Sequence, residues 1–214
     1  TRVPCGAAMS NKRITAVVLT AGLSDADATS YATASITPTG NKLVLAWVSN
    51  TKGTTPDTPT LTGNGITWVQ VNTQLFSTIA TPTQRITAFR GMVASPSVGA
   101  VTIDFAGATQ TACAWVISEY DQVKTSGANG ADAVVQSAIN ARDWQFSVPL
   151  TLAAMTHAEN GVAVGRANNL GGTQYQMCFG YEYLTGAATA TPVSLLETWW
   201  RDSNDTDPEP KTGL

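Results

Sequence analysis

The residues best suited to chemistry in this chain are one histidine, a scatter of carboxylates and a pair of adjacent tryptophans. His157 is the only histidine, so a Ser-His-Asp triad would have to use it. No G-x-S-x-G pattern supplies the nucleophile that such a triad needs. One histidine and three dispersed cysteines also lack the ligand spacing of a zinc site. We therefore interpret His157 as a structural residue in a turn between two strands.

Paired carboxylates that flank a sugar could hydrolyse a glycosidic bond. Glu182 and Glu197 are the best placed, because each lies on a predicted strand beside aromatic residues. The other candidates are Asp104, Glu119, Asp121 and Glu159. Carboxylates on a threonine-rich strand are usually solvated outward positions, so we expect no enzyme. A β-sandwich enzyme that degrades glycans is a third hypothesis.

Two adjacent tryptophans and two nearby tyrosines form the most notable aromatic feature. Neighbouring side chains on a strand point to opposite faces, so one of Trp199 and Trp200 should enter the core. The other is either exposed, where it could stack on a sugar or anchor a protein interface, or covered by a loop or by the C-terminal tail. Tyr181 and Tyr183 share one face of the preceding strand. The sequence therefore predicts a candidate aromatic platform for binding at Tyr181, Tyr183, Trp199 and Trp200.

The C-terminal end is acidic, with Asp202, Asp205 and Asp207 followed by Glu209. Hard cations such as Ca²⁺ prefer clustered carboxylate oxygens, so the three aspartates are a candidate metal site. Their spacing matches no EF-hand, and a solvated acidic tail is the interpretation we prefer. No other cofactor is expected.

Composition narrows the classes of partner. The 214 residues are 43% hydrophobic, enough for a core, but only 13% charged, and 32 are threonine, which suits a strand that faces water. A net charge of -3 with scattered Lys and Arg argues against a nucleic-acid partner. No apolar run approaches the roughly 18 residues needed to span a bilayer, so we expect no membrane insertion.

The three cysteines, Cys5, Cys113 and Cys178, leave at least one thiol unpaired. We prefer two buried free thiols at Cys113 and Cys178, because free cysteine often acts as a small core residue. A disulfide between them across the sandwich is the alternative. Cys5 lies in a tail-like segment, from which it could pair with a neighbouring chain.

Short alternating segments closed by Gly, Pro, Asn or Asp run through most of the chain and predict strands. Asn64-Gly65 predicts a hairpin between two of them, and only 136–143 could hold a helical turn. We predict an antiparallel, jelly-roll-like β-sandwich of about a dozen strands, with an extended N-terminal arm (1–12), a single β-sandwich domain (13–201) and an acidic tail (202–214). The predicted strands are 13–20, 30–36, 42–49, the hairpin arms TLTG (60–63) and ITWVQV (66–71), 85–93, 98–105, 111–120, 133–137, 145–152, 160–167, 175–184 and 193–201.

Several of these segments share short patterns with a known module. GNKLVL at 40–45 resembles the G-x-x-LVL strand of a β-sandwich module of phage virion and tail proteins and of long secreted bacterial proteins. GITWVQV (65–71) is similar to its G-x-x-W-x-x-V strand, 85–90 to the next strand, AWVISEYDQV (114–123) to its A-x-x-x-x-E-Y-x-x-V strand, and 152–165 to a later strand pair. The resemblance covers about 30–167. It implies a jelly-roll-like fold and a display or binding role, with no catalytic residues.

Two functional hypotheses follow. The first is a non-enzymatic structural or display protein of a viral (phage) particle surface, a capsid decoration or tail component whose partners are copies of itself and other virion proteins. The alternative is a carbohydrate-binding module on a secreted or tail-fibre protein, with glycans as ligands. Both place the chain on the virion surface or outside the cell.

Overall fold

The computed structural model describes residues 14–77, 81–141, 148–155, 160–168, 175–176, 181–190, 193–202 and 211–212. These residues form an all-β protein of antiparallel sheets, as the alternating sequence predicted. The helical structure described is one short 3-10 element, η1 (Ala128–Ala133). The strands are β1 (Thr15–Ser24), β2 (Ser30–Ala32), β3 (Leu43–Thr51), β4 (Thr60–Thr62), β5 (Val69–Phe76), β6 (Gln84–Gly91), β7 (Thr102–Asp104), β8 (Ala112–Asp121), β9 (Val162–Asn168), β10 (Tyr175–Gln176), β11 (Glu182–Ala190), β12 (Val193–Arg201) and β13 (Lys211–Thr212).

The largest sheet has five strands in the order β1-β8-β3-β6-β5. β8 lies between β1 and β3, and nine of its ten residues are buried. Its sequence, ACAWVISEYD, is apolar or small at nearly every position, which suits a strand covered on both faces. The sequence of 111–120 thus predicts a strand covered on both faces, and the burial of β8 confirms this.

One apolar cluster joins the five-stranded sheet to a small sheet of order β2-β7-β4. The alternation in VTIDF predicts that Val101, Ile103 and Phe105 point inward, and all three are buried. The edge of the Phe105 ring meets Tyr31 with the centroids 6.0 Å apart. Large apolar side chains from β3, β6 and β8 complete this cluster, among them Val44, Val48, Phe89, Trp115 and Ile117.

A third sheet, of order β11-β12-β9, packs on the opposite face of the five-stranded sheet. Leu196 of β12 lies with Ala114 and Val116 of β8 in one cluster, and Trp200 lies with Leu43 and Tyr120 in another. β3 and β8 therefore send alternate side chains into apolar clusters on both of their faces. The two-residue strands β10 and β13 pair with each other.

The turn at Asn64-Gly65 forms as predicted, but the hairpin is wrong. Both residues have positive φ, 58° and 65°, as a type I′ turn requires. The strands on either side of it do not pair, because β4 bonds to β7 and β5 bonds to β6. The turn therefore carries the chain from one sheet to the other.

The segment after β8 also differs from the prediction. Residues 133–137, predicted as a strand, lie partly in η1 and partly in irregular chain, and 148–152 are irregular too. The side-chain amide of Gln136 takes the place of a strand pairing: its Nε2 donates to Ala153 O at 3.0 Å, and its Oε1 accepts from Ala153 N at 2.9 Å. The helical turn lies at η1, before the 136–143 segment that was expected to hold it.

Cys113 is a free thiol with no exposed surface, as the preferred interpretation requires. Cys5, Cys178 and His157 lie outside the described residues, as does the N-terminal arm of 1–12. Within the described part of the chain, no helix has the length and hydropathy to span a membrane.

Candidate functional site

The two tryptophans of the predicted platform lie on opposite faces of β12, and both are buried. Trp199 is 2% exposed and Trp200 is 8% exposed. The alternative in which the second tryptophan is covered therefore holds, and neither indole ring is open to a ligand in this structure.

Trp200 belongs to the core beneath the third sheet. Its ring meets Tyr120 of β8 edge-on with centroids 6.4 Å apart, and its Nε1 donates a hydrogen bond to Glu182 Oε2 at 3.3 Å. Burial raises the pKa of Tyr120 well above its ordinary range. This contact fastens β12 to the five-stranded sheet.

Trp199 lies on the outer face of the third sheet, directly opposite Tyr183 of β11. The two rings meet at 61° with centroids 5.8 Å apart. Tyr183 is 56% exposed, the largest exposure of any aromatic residue described. Partial burial raises its pKa, and the negative charge of Glu197 raises it further. Tyr183 is thus the accessible member of the pair, and Trp199 packs beside it.

Tyr181 lies on the same outer face as Tyr183. The Arg201 guanidinium is 5.8 Å from the centroid of the Tyr181 ring, a cation–π distance. Arg201 and Trp199 are two residues apart on β12, so they share a face, and so do the tyrosines that they contact. The outer face therefore gathers Tyr181, Tyr183 and Trp199 of the predicted platform, while Trp200 faces the other way.

Beside these aromatic residues the outer face carries two buried charged groups. Glu197 of β12 lies directly opposite Arg166 of β9, and they are 2% and 8% exposed. Opposite charges at paired positions of a ladder stabilise each other. Arg166 was not among the residues predicted for the site, although an arginine that shares one face of β9 with Val162 and Val164 is a signal for a buried charge.

Glu182 and Glu197 do not form a pair that could flank one sugar. Glu182 lies opposite Trp200, whereas Glu197 is three residues from Trp200 on β12. Residues an odd number apart on a strand point to opposite faces, so the two carboxylates are separated by the sheet. The geometry that glycoside hydrolysis requires is absent from this pair.

Glu119, another candidate acid, is a structural anchor. Its carboxylate accepts hydrogen bonds from Thr39 N at 2.9 Å, Thr39 Oγ1 at 3.1 Å and Lys42 Nζ at 3.1 Å. The hydrogen bond from Lys42 raises the pKa of that lysine. These bonds hold the turn before β3 against β8.

A second polar cluster, built on the buried side chains of Gln110 and Asn50, was not predicted. Gln110, with no exposed surface, accepts a bond from Asn50 Nδ2 at 2.8 Å and donates to Asp57 Oδ2 at 2.9 Å. Lys52 Nζ donates to the same Asp57 oxygen at 2.7 Å, and this bond is the main reason why the pKa of Asp57 is lowered. The cluster fixes the loop after β3 to the end of the sheet.

The candidate calcium site is only partly described. Asp202 Oδ1 accepts a hydrogen bond from Ile14 N at 3.0 Å, which ties the end of β12 to the chain just before β1. Asp205 and Asp207 lie outside the described residues. Among the residues that are described, no three His, Cys, Asp or Glu side chains are grouped closely enough to hold a metal ion.

Comparisons with protein-family models, with curated proteins and with solved structures gave no match.

Proposed function

We propose that this chain is a non-enzymatic structural or display protein of a viral (phage) particle surface, a capsid decoration or tail component that acts through contacts with copies of itself and with other virion proteins. The observation that carries the proposal is the contrast between buried polar and exposed apolar side chains among the described residues. Buried polar groups such as Glu119 and Gln110 fasten loops to sheets. The exposed groups, in contrast, include six large apolar side chains: Val135 (69% exposed), Val98 (66%), Tyr183 (56%), Val17 (52%), Leu23 (42%) and Ile139 (37%).

We also propose that the first eight strands form a jelly roll. In a jelly roll, a long antiparallel hairpin is rolled up, so that the first strand pairs with the eighth, the second with the seventh and the third with the sixth. The pairs β1–β8, β2–β7 and β3–β6 support this nesting. Jelly rolls are common in viral capsid proteins and in lectins, and this step is an analogy of fold alone.

A subunit that works through contacts should assemble. We expect the purified full chain to form species larger than a monomer as its concentration rises through the micromolar range, measured by multi-angle light scattering. Antibodies against the chain should label the surface of intact particles in immunogold microscopy. A chain that remains monomeric at every concentration and labels no particle would contradict the proposal.

A carbohydrate-binding role is the second candidate, and the exposure of Tyr183 favours it. A tyrosine that is more than half exposed and packs against a buried tryptophan offers one stacking surface. Since both tryptophans are buried, this surface is smaller than the four-residue platform predicted from the sequence.

Glycan-array binding tests this candidate. If the chain binds glycans through the outer face, Tyr183→Ala should abolish binding, whereas Val98→Ala, a change at an equally exposed apolar side chain outside that face, should leave it intact. Binding that survives Tyr183→Ala, or no binding to any glycan, would exclude the candidate.

A further inference from the structure

A partly exposed cation lies beside the exposed tyrosine on the outer face of the third sheet. Arg201 follows Trp199 by two residues on β12, and Trp199 lies directly opposite Tyr183. Arg201 and Tyr183 are therefore diagonal neighbours on one face, with backbone positions about 7–8 Å apart. Arg201 retains exposed surface, and Tyr183 is 56% exposed. A ligand on this face would meet both side chains.

The acidic side chains near this pair are turned away from it or buried. Glu182 and Asp202 bond to groups on the inner side, which faces the five-stranded sheet. Glu182 Oε2 accepts from Trp200 Nε1 at 3.3 Å, and Asp202 Oδ1 accepts from Ile14 N at 3.0 Å. Glu197 shares the outer face, but it is 2% exposed and lies opposite an arginine of β9. Among the described residues, the exposed charge beside Tyr183 is therefore positive.

The Tyr181 ring positions the cation. The Arg201 guanidinium is 5.8 Å from the centroid of that ring, a cation–π distance. A guanidinium carries its N–H donors in a planar fork that matches a carboxylate, to which it can donate two parallel hydrogen bonds. Contact with the ring also limits the conformations of the arginine, so less entropy is lost when an anion binds. Arg201 is therefore suited to an anionic group.

The Tyr183 ring leans away from this cation. Tyr183 Oη is 2.8 Å from the position that a Cβ of Gly186 would occupy, so the ring lies over the glycine. In the ladder, Gly186 lies on the side of Tyr183 that is away from Arg201. A ligand that stacks on the tyrosine and also reaches the guanidinium must therefore be longer than one sugar ring.

We propose that the outer face binds an acidic oligosaccharide, with one sugar ring stacked on Tyr183 and the carboxylate of a neighbouring sugar on Arg201. The inference rests on the second candidate function, glycan binding at Tyr183, and names the class of glycan. Stacking on an aromatic ring does not separate acidic from neutral sugars, so Arg201 is the residue that selects for charge.

Removing the charge of Arg201 tests the assignment. On an array of carboxylated, sulfated and neutral oligosaccharides, the full chain should prefer the carboxylated ones. In calorimetric titrations with the best of these, Arg201→Gln should lower the affinity by at least about tenfold, because a charge-assisted hydrogen bond is lost. Arg201→Lys keeps the charge and should recover part of the loss. Lys124→Gln removes the same charge at a 67% exposed side chain outside this face and should change nothing.

The neutral methyl ester of the same glycan is the matched ligand. It should bind more weakly than the acid, and added salt should weaken the binding of the acid but not of the ester. This comparison needs only the wild type, so it decides the question even if Arg201→Gln fails to fold by circular dichroism.

Equal binding of acid and ester, a preference for sulfated or neutral glycans, or acid binding that survives Arg201→Gln would overturn the inference. Each of these results would leave glycan binding at Tyr183 standing as a candidate. If the chain bound no glycan at all, the inference and that candidate would both fail.

Discussion

Tyr183 lies directly opposite Trp199 in the β11–β12 ladder, and the two rings meet at 61° with their centroids 5.8 Å apart. One ring is more than half exposed and the other is almost fully buried. The pair therefore combines one exposed and one buried ring on the same face of the third sheet. Replacing the two rings should therefore have different effects on stability.

Replacing each ring by alanine should separate these effects. Trp199→Ala should lower the free energy of unfolding by about 3–5 kcal/mol, since it empties a buried site. Tyr183→Ala should cost no more than about 1.5 kcal/mol, the value of an aromatic pair contact. Urea denaturation followed by tryptophan fluorescence and circular dichroism measures both. Equal losses for the two variants would show that Tyr183 is as buried as Trp199.

At Gly165 of β9 the third sheet lies close against Trp47 of the five-stranded sheet. A Cβ at this position would overlap the indole ring of Trp47. Gly165→Ala should therefore destabilise the protein by about 1–3 kcal/mol through overpacking. Gly53→Ala is the matched control, because a Cβ there meets nothing within 4 Å. Thermal denaturation of both variants measures the difference, and a neutral Gly165→Ala would contradict the close packing.

The thiol of Cys113 should be unreactive in the folded protein. It has no exposed surface, and burial raises its pKa far above the ordinary value for a thiol. Thiolate is the reactive form, so both access and ionisation oppose modification. Alkylation with iodoacetamide followed by peptide mass spectrometry should find Cys113 unmodified under native conditions and modified in urea. Rapid native modification would show that the core around β8 opens.

The Lys52–Asp57 contact should contribute a pH-dependent part of the stability. The folded-state pKa of Asp57 lies below its ordinary value of 3.8, chiefly because of the hydrogen bond from Lys52. Its contribution is therefore fully present above about pH 4 and is lost as the pH falls through the folded-state pKa. The stability difference between the wild type and Asp57→Asn should be constant near neutral pH and should shrink in acid.

Lys52→Gln provides the check on this cause. It removes the main group that lowers the pKa of Asp57, so it should reduce the same acid-dependent component in urea titrations at each pH. An Asp57→Asn difference that does not change with pH would mean that the contact is not the source.

The sequence predicted those elements that are set by local alternation. The alternation in VTIDF and the continuous apolar run of β8 identified the inward residues correctly. Burial of one face of a strand leaves apolar residues at every second position, and burial of both faces leaves a continuous apolar run. Asn64-Gly65 gave the correct turn because its positive φ angles are a local requirement. The partner strands were not predictable from it, since pairing is decided by residues far away in the chain.

For the candidate site, too, the local sequence pattern predicted only part of the arrangement. Alternation on β12 correctly separates the faces of Trp199 and Trp200, but it does not reveal what lies over each face. The opposition of Glu197 and Arg166 depends on the register between β12 and β9, which no local pattern specifies. The strand predicted at 133–137 does not form, and the side-chain amide of Gln136 bonds the backbone of Ala153 there, a contact that no local pattern specifies.

The position of β8 has a consequence for how the chain folds during its synthesis. Thr15 pairs with Asp121, roughly a hundred residues later, and contacts of such long range slow folding. β8 lies between β1 and β3 and contributes to the apolar clusters on both faces of the five-stranded sheet. These clusters therefore cannot be completed until β8 has left the ribosome. Until then the apolar faces of the first seven strands remain exposed, and we expect co-translational chaperones to be most needed before residue 121 emerges.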